Sequence, residues 1–197
     1  MDILNSLVEA LRCLPGVGPK SAQRMVFHLL RHQRQRGLHL ALCLEQAMKQ
    51  ISHCQRCNNY TEQTICTLCQ NTNRDSKLLC VVESPADVSA IEQSNAFQGK
   101  YFVLMGKISP LDGLGPDDIG LPKLKELIRQ DCINEVILAL SPSVEGQTTT
   151  HFIHQLLKDE PVHISQLAHG IPSGGELEFL DGNTIGSALR NRAAVHV

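Results

Sequence analysis

Two apolar runs in this chain end in residues that suit metal-assisted chemistry on a phosphodiester. Leu78-Leu79-Cys80-Val81-Val82 runs into Glu83-Ser84-Pro85-Ala86, and Val136-Ile137-Leu138-Ala139-Leu140 runs into Ser141-Pro142-Ser143-Val144-Glu145-Gly146. Short apolar runs of this kind predict strands, and in an open α/β sheet ligands gather at the carboxyl ends of strands. Carboxylates placed there would hold magnesium. Glu83 and Glu145 meet that need, but Ser141 and Ser143 stand where further acids would be expected. A hydroxyl is a weak neutral ligand, so two carboxylates and a serine pair make a poor cage for a hard dication. Glu83 is then left to cap local structure or to hydrogen-bond the facing loop.

A second group of residues suits a different metal. Cys54-x-x-Cys57 and Cys66-x-x-Cys69 lie in one short polar stretch, with eight residues between the pairs. Four thiolates at such spacing complete a tetrahedral zinc shell and leave no open position, which makes the site structural. A redox dithiol would need only one pair in a thioredoxin-like setting. His53 adjoins the first cysteine and is a bystander on this reading, because four sulfurs already fill the shell. Cys13, Cys43, Cys80 and Cys132 sit alone in apolar surroundings and read as core residues.

The third group is Leu14-Pro15-Gly16-Val17-Gly18-Pro19-Lys20-Ser21-Ala22. Two glycines around a small apolar residue allow a tight hairpin between helices. The helix that follows presents free N–H groups and its positive dipole end to a phosphate. Lys20 and Arg24 are four residues apart, hence on one face, and can add charge-assisted phosphate contacts. The motif reads either as a sequence-independent contact to a nucleic-acid backbone or as a packing element.

These residues need elements to position them. Apolar spacing predicts helices over 3–12, 19–35 and 38–51, before a cysteine-bearing, weakly periodic stretch over 52–75. From Lys77 on, strands near 78–83, 101–105, 135–140 and 162–166 alternate with helices near 86–94, 121–130 and 147–158. That alternation predicts βαβ units and a largely parallel sheet. A final helix is expected near 184–192. The connection 106–120 is long and rich in Gly, Pro and Asp, as functional loops often are. Its Asp112, Asp117 and Asp118 read either as a solvated approach to the next helix or as an acidic face for a basic partner. Lys123, Lys125 and Arg129 read as a solvent face.

Composition limits the function classes. The chain has 197 residues, of which 42% are hydrophobic and 19% charged, as in ordinary globular proteins. Met1-Asp2-Ile3 is no basic leader, and no apolar run approaches the roughly 18–20 residues that span a bilayer, so a cytoplasmic location is expected. Reduced thiols follow from that compartment, which turns eight cysteines toward metal and packing. The net charge of −2 conceals an asymmetry. Residues 1–60 hold eight basic and three acidic side chains, a balance of +5, while the remainder holds ten and seventeen, a balance of −7. A basic front end suits local contact with nucleic acid, though a solvated basic helix has the same charge. Few aromatics and no tryptophan argue against a base-stacking platform.

Three resemblances now join these readings. Leu14–Ala22 resembles the helix-hairpin-helix motif that binds DNA backbones. The stretch LLCVVESPADVSAIE with VILALSPSVEGQTTT resembles the Toprim domain of topoisomerases, primases and some nucleases, although both aspartates of the type IA topoisomerase pattern Asp-x-Asp-x-x-Glu-Gly are here serines, Ser141 and Ser143. With the cysteine quartet, and with Tyr101–Gly120 and Leu167–Asp181, the whole chain is similar to the RecR family of bacterial recombination mediators. Phe102, where the family usually has histidine, and Gln147-Thr148, where Glu-Ala is commoner, depart from its pattern.

The family resemblance implies an α+β protein in four parts: a helix-hairpin-helix region at 1–52, a zinc finger at 53–76, a Toprim domain at 77–166 and a tail at 167–197 that serves oligomer contact. It implies one structural zinc per chain on Cys54, Cys57, Cys66 and Cys69. DNA contact is implied for Gly16, Gly18, Lys20 and Arg24, and partner docking for Glu83 and Glu145. It further implies a homo-oligomer, a dimer or tetrameric ring, that acts with RecO and RecF to load RecA at single-stranded gaps without catalysis. The competing readings are a magnesium-dependent nuclease or topoisomerase-like enzyme and a pure protein-interaction adaptor. No Gly-x-x-x-x-Gly-Lys-Ser/Thr loop supports an ATPase.

Overall fold

The protein is described by a computed structural model, over residues 2–168, 170–172 and 174–191. The chain divides into two compact units, Met1–Ile51 and Ser52–Val197.

The first unit is three helices, α1 (Ile3–Leu11), α2 (Pro19–His32) and α3 (Arg34–Gln50). Asp2 caps α1 through the N–H of Leu4, and Gly18-Pro19 opens α2 with proline in its first turn, where a missing N–H costs nothing. Among the described residues of this unit, only Ala22 and Val26 are fully buried. Leu38, Leu40, Leu42, Leu44 and Met48 of α3 are exposed. Leu40, Leu42 and Leu44 recur every second residue, which scatters them around a helix and keeps them off a single stripe. The unit therefore leaves much of its apolar surface uncovered.

The second unit opens with a knuckle: the antiparallel pair β1 (Ser52–His53) and β2 (Tyr60–Thr61), then the short α4 (Thr67–Gln70). A four-stranded parallel sheet follows, built from β3 (Asp75–Val82), β4 (Gly99–Val103), β5 (Glu135–Ala139) and β6 (His163–Gln166) in the order β4-β3-β5-β6. The chain leaves β3 toward β4 through α5 (Pro85–Ser94) and returns to the other side of β3 through α6 (Leu121–Asp131). It then passes through α7 (Val144–Leu157) to β6. The crevice between the ends of β3 and β5 is the topological switch point, where such sheets bind ligands.

Side chains alternate across the sheet, and each face has its own core. Leu79, Val81, Phe102, Val136 and Leu138 pack against Leu124 and Ile128 of α6 and Ile153 and Leu157 of α7. Cys80, Val82, Tyr101 and Val103 pack against Val88 of α5. Phe102 is fully buried, so this side chain is a packing group, which contributes about 1.5–3 kcal/mol. The last elements are a 3-10 turn (Leu177–Phe179) and α8 (Gly182–Arg190), capped by Asp181. His169 and Ser173 of the Leu167–Asp181 stretch, and 192–197 of the tail, lie outside the described residues.

Two expectations need correction. Cys80 is buried as expected, but Cys13, Cys43 and Cys132 are exposed. Cys13 lies in the turn between α1 and α2, Cys43 faces His39 on the surface of α3, and Cys132 caps α6 with φ +49°. Apolar neighbours in sequence do not imply burial on a helix, because adjacent side chains point different ways. Nor are the cations of α6 a plain solvent face. Lys125 Nζ lies 3.7 Å and Arg129 Nη2 2.6 Å from Glu160, and Lys123 Nζ reaches the Cys54 carbonyl at 3.5 Å. Arg129 holds the Glu160 carboxyl below its ordinary range.

Candidate nucleic-acid interface, metal centre and strand-end cleft

The turn between α1 and α2 is closed by the Val17 N–H on the Leu14 carbonyl at 3.1 Å. Gly16 has φ +78°, a left-handed conformation that disfavours any side chain. Gly18 is extended, and open space surrounds the place of a Cβ at both glycines. Backbone is thus presented bare beside the start of α2. Lys20 and Arg24 lie on that helix one turn apart, both exposed.

The four cysteines converge. Their sulfurs all lie within 4.8 Å of one another, and Cys54, Cys57, Cys66 and Cys69 are 0, 1, 5 and 8% exposed. A zinc ion with Zn–S bonds of about 2.3 Å separates its sulfurs by about 3.8 Å, so the quartet is gathered to the size a zinc shell needs. The Cys66 N–H points at Cys54 Sγ at 3.3 Å. Contact with Cys57 pulls the Cys66 thiol down from its ordinary range, and the same contact raises Cys57. Four buried sulfurs gathered at one point are the donor set a thiophilic cation requires. His53 stands outside it, its Nδ1 3.0 Å from the Asn58 carbonyl and its ring against Tyr60.

The knuckle is fastened to the edge strand β4. Val103 N–H donates to the Cys57 carbonyl at 2.9 Å, and Asn58 Nδ2 donates to the Val103 carbonyl at 2.9 Å. Lys100, 4% exposed, donates from Nζ to the carbonyls of Leu68, Cys69 and Asn71 at 3.1, 2.9 and 2.6 Å. Its ammonium satisfies the end of α4, which carries the last cysteine, and burial lowers its pKa. Sequence reasoning misses Lys100. Its one trace is a lysine at the head of the run Tyr101-Phe102-Val103-Leu104, where a charge needs buried partners.

At the switch point Glu83 Oε1 accepts the Ser141 N–H at 2.6 Å and ties the ends of β3 and β5 together. This is the second of the two roles expected for it, a bond to the facing loop. Ser141 Oγ lies 3.0 Å from Ser143 Oγ, which accepts the Gly146 N–H and so caps α7. A Cβ on Gly146 would lie 2.0 Å from the Ser141 carbonyl oxygen, so the close approach demands glycine. Glu145 is held below its ordinary range by its own N–H, by the Ser143 hydroxyl and by Lys107. Lys107, from the 106–120 loop, places Nζ 3.4 Å from both serine hydroxyls and 3.8 Å from Glu83 Oε2. Sequence gives no sign of it, because loop geometry alone brings it there.

That loop is built by its own acids. Asp112 accepts the Ser109 hydroxyl at 2.6 Å, and Asp118 accepts the Gly115 N–H at 2.8 Å. The Ile108 N–H donates to Thr149 Oγ1 of α7, which fixes the loop's start beside Lys107.

A helix-hairpin-helix head, a four-cysteine knuckle and a Toprim-like parallel sheet with Glu83, Ser141, Ser143 and Glu145 at its switch point define a class of DNA-associated Toprim proteins. Family models agree part by part: the RecR helix-hairpin-helix over residues 4–48, the RecR zinc finger domain of the four-cysteine type over 51–71, the Toprim domain over 77–168, and the RecR C-terminal region over 170–193. The chain is 87% identical over 197 residues to proteins named "Recombination protein RecR" from Legionella pneumophila strains Corby and Lens, covering 100% of both chains in each case. It is also 87% identical to that of strain Philadelphia 1, covering 100% of this chain and 99% of the relative. The chain belongs to the RecR family. Among the described residues, no helix is long and apolar enough to cross a membrane.

Proposed function

We propose that this chain is a recombination mediator of DNA repair that grips DNA by its backbone and performs no cleavage or strand passage itself. The observation that carries this reading is the hairpin: bare backbone at Gly16 and Gly18, a helix start behind it, and Lys20 and Arg24 exposed on one face. Affinity built on phosphates is sequence-blind and falls steeply with salt. The absence of chemistry is supported by Ser141 and Ser143, whose hydroxyls supply no charge to a dication.

The parts divide the work at 1–52 for DNA, 53–76 for the zinc finger, 77–166 for the Toprim body and 167–197 for oligomer contact. The apolar side chains left exposed on α3 support self-association into a dimer or ring. Glu83 and Glu145 of the switch point form part of a docking surface, and RecO and RecF are the partners that the family implies, with RecA loading at single-stranded gaps as the outcome. Such work belongs in the cytoplasm, at the nucleoid.

The test is binding of the folded, zinc-loaded protein to fluorescent DNA at low and high salt. Lys20→Ala with Arg24→Ala lowers affinity about tenfold or more at low salt and flattens the salt slope by up to about two phosphate contacts. Unchanged binding by the folded double variant sinks the hairpin assignment. Magnesium-dependent cleavage of DNA that disappears in Glu83→Gln would restore the enzyme reading.

A further inference from the structure

The Toprim fold implies a magnesium ion at the switch point, yet these residues do not suit one. Of the four side chains at the metal-binding positions, Glu83, Ser141, Ser143 and Glu145, only the two glutamates carry charge. Both serine hydroxyls are engaged, with each other, with the α7 backbone and with Lys107. One carboxylate oxygen of Glu83 is committed to the Ser141 N–H. Into the space among them reaches a cation already attached to the chain. Lys107 Nζ is within 3.8 Å of Glu83, Ser141 and Ser143, and its charge acts on Glu145 as well.

We propose that the Lys107 ammonium stands in place of the dication, a built-in monovalent counter-ion that holds the switch point together and closes it to magnesium. The inference rests on the non-catalytic reading above and names the residue that enforces it. The ammonium donates long hydrogen bonds to two hydroxyls at 3.4 Å and pairs by charge with the Glu83 carboxylate at 3.8 Å, so one cation answers three of the groups that a metal would otherwise draw together. A dication arriving there would meet a like charge a few ångströms away as well as a shortage of ligands. Lys107 also leads the 106–120 loop, so that loop is anchored to the ends of β3 and β5 without any ion.

The acids that would compete for Lys107 are placed accordingly. Asp112 is turned onto Ser109, and Asp118 onto Gly115, each within the loop. Glu83 is the carboxylate in ion-pair contact with the ammonium, and Glu145 feels its charge, with Asp112 adding a further negative charge that acts on Glu145 from the loop side. Replacing Ser141 and Ser143 by aspartates would surround Lys107 with four acids and should still leave metal binding weak. Removing the lysine as well should create a dication site.

The experiment uses full-length zinc-loaded protein and manganese as the probe, with free Mn2+ read by electron paramagnetic resonance. Lys107→Met alone is expected to bind Mn2+ at least about tenfold more tightly than the unaltered chain. Ser141→Asp with Ser143→Asp and Lys107→Met is expected to exceed the two aspartates alone by about the same factor, since a half-buried unit charge a few ångströms away, partly screened by solvent, still amounts to about one decade. Equal affinities with and without the lysine overturn the proposal. Should the aspartate variants fail to fold, the Lys107→Met comparison decides it unaided. Magnesium-dependent DNA cleavage by the unaltered chain would sink the functional reading separately, since that outcome does not depend on the Mn2+ comparison.

Discussion

Lys100→Met tests how far the zinc knuckle and the Toprim sheet form one cooperative structure. The substitution keeps most of the buried stem's volume and removes the ammonium. Three carbonyls lose a donor, but they do not lose equally. The contact to Cys69 is buried, whereas those to Leu68 and Asn71 are partly open to solvent. Water can replace the ammonium at the latter two, so the full cost of an unmet acceptor falls on one carbonyl, about 1–3 kcal/mol. Loss of two charge-assisted bonds in favour of water adds about 1 kcal/mol, and relief from burying a charge offsets part of the total. A net loss of about 2–3 kcal/mol is expected.

A second effect follows from charge. Four thiolates on one zinc carry a formal excess of two negative charges, and Lys100 is a buried cation beside Cys69. Residues that orient and balance metal ligands are typically worth about 10–100-fold in metal affinity. Equilibrium denaturation should therefore show an earlier midpoint, and a chromogenic chelator should strip zinc at lower concentration. A variant whose midpoint moves by less than about 0.5 kcal/mol, and whose zinc competes as before, would refute the argument. It would mean that the main-chain bonds between Cys57, Asn58 and Val103 suffice to dock the knuckle.

Gly146→Ala should be costly although alanine is the better helix former by about 1 kcal/mol. Its Cβ would sit 2.0 Å from the Ser141 carbonyl oxygen, so the start of α7 must move, and a fall in stability of about 2 kcal/mol or more is expected in thermal unfolding. Glu160 gives a pH signature. Arg129 holds its folded pKa below the ordinary glutamate value of 4.5, so the native state holds fewer protons there than the unfolded chain. The stabilisation is present above pH 4.5 and is lost as pH falls through the depressed value. Glu160→Gln should lower the unfolding temperature at pH 6, and the difference should vanish in acid; a difference constant with pH refutes it.

The parts of the molecule that sequence discloses are those governed by local pattern. The parallel sheet follows from short apolar runs separated by helical segments, and its strands lie within a few residues of the expected places. The cysteine quartet is legible because two Cys-x-x-Cys pairs have few uses other than a closed metal shell. Gly16 is legible because the turn needs a positive φ. What escapes is set by contacts between distant residues. Lys100 finds its carbonyls about thirty positions upstream. Lys107 meets Ser141 and Ser143 across 34 and 36 residues. The exposure of Cys13, Cys43 and Cys132 likewise depends on which way each element turns.

The two lysines suggest how this fold can retain its architecture while giving up an ion. A catalytic Toprim site needs negative charge gathered at one point, and that charge repels itself unless a metal is bound. Here two of the acids are absent, which lowers the repulsion, and an ammonium on a fixed loop answers the charge that remains. The switch point is thereby ordered whether or not magnesium is present, and its two glutamates are held in place by the chain itself. At the opposite functional pole the zinc knuckle keeps a true metal shell, because four thiolates packed together have no comparable internal answer. Lys100 balances part of their charge from outside, through the end of α4, but cannot enter the tetrahedron. The same residue type thus replaces one metal and supports another, and the difference lies in what surrounds it: hydroxyls and carboxylates in one case, main-chain carbonyls beside thiolates in the other.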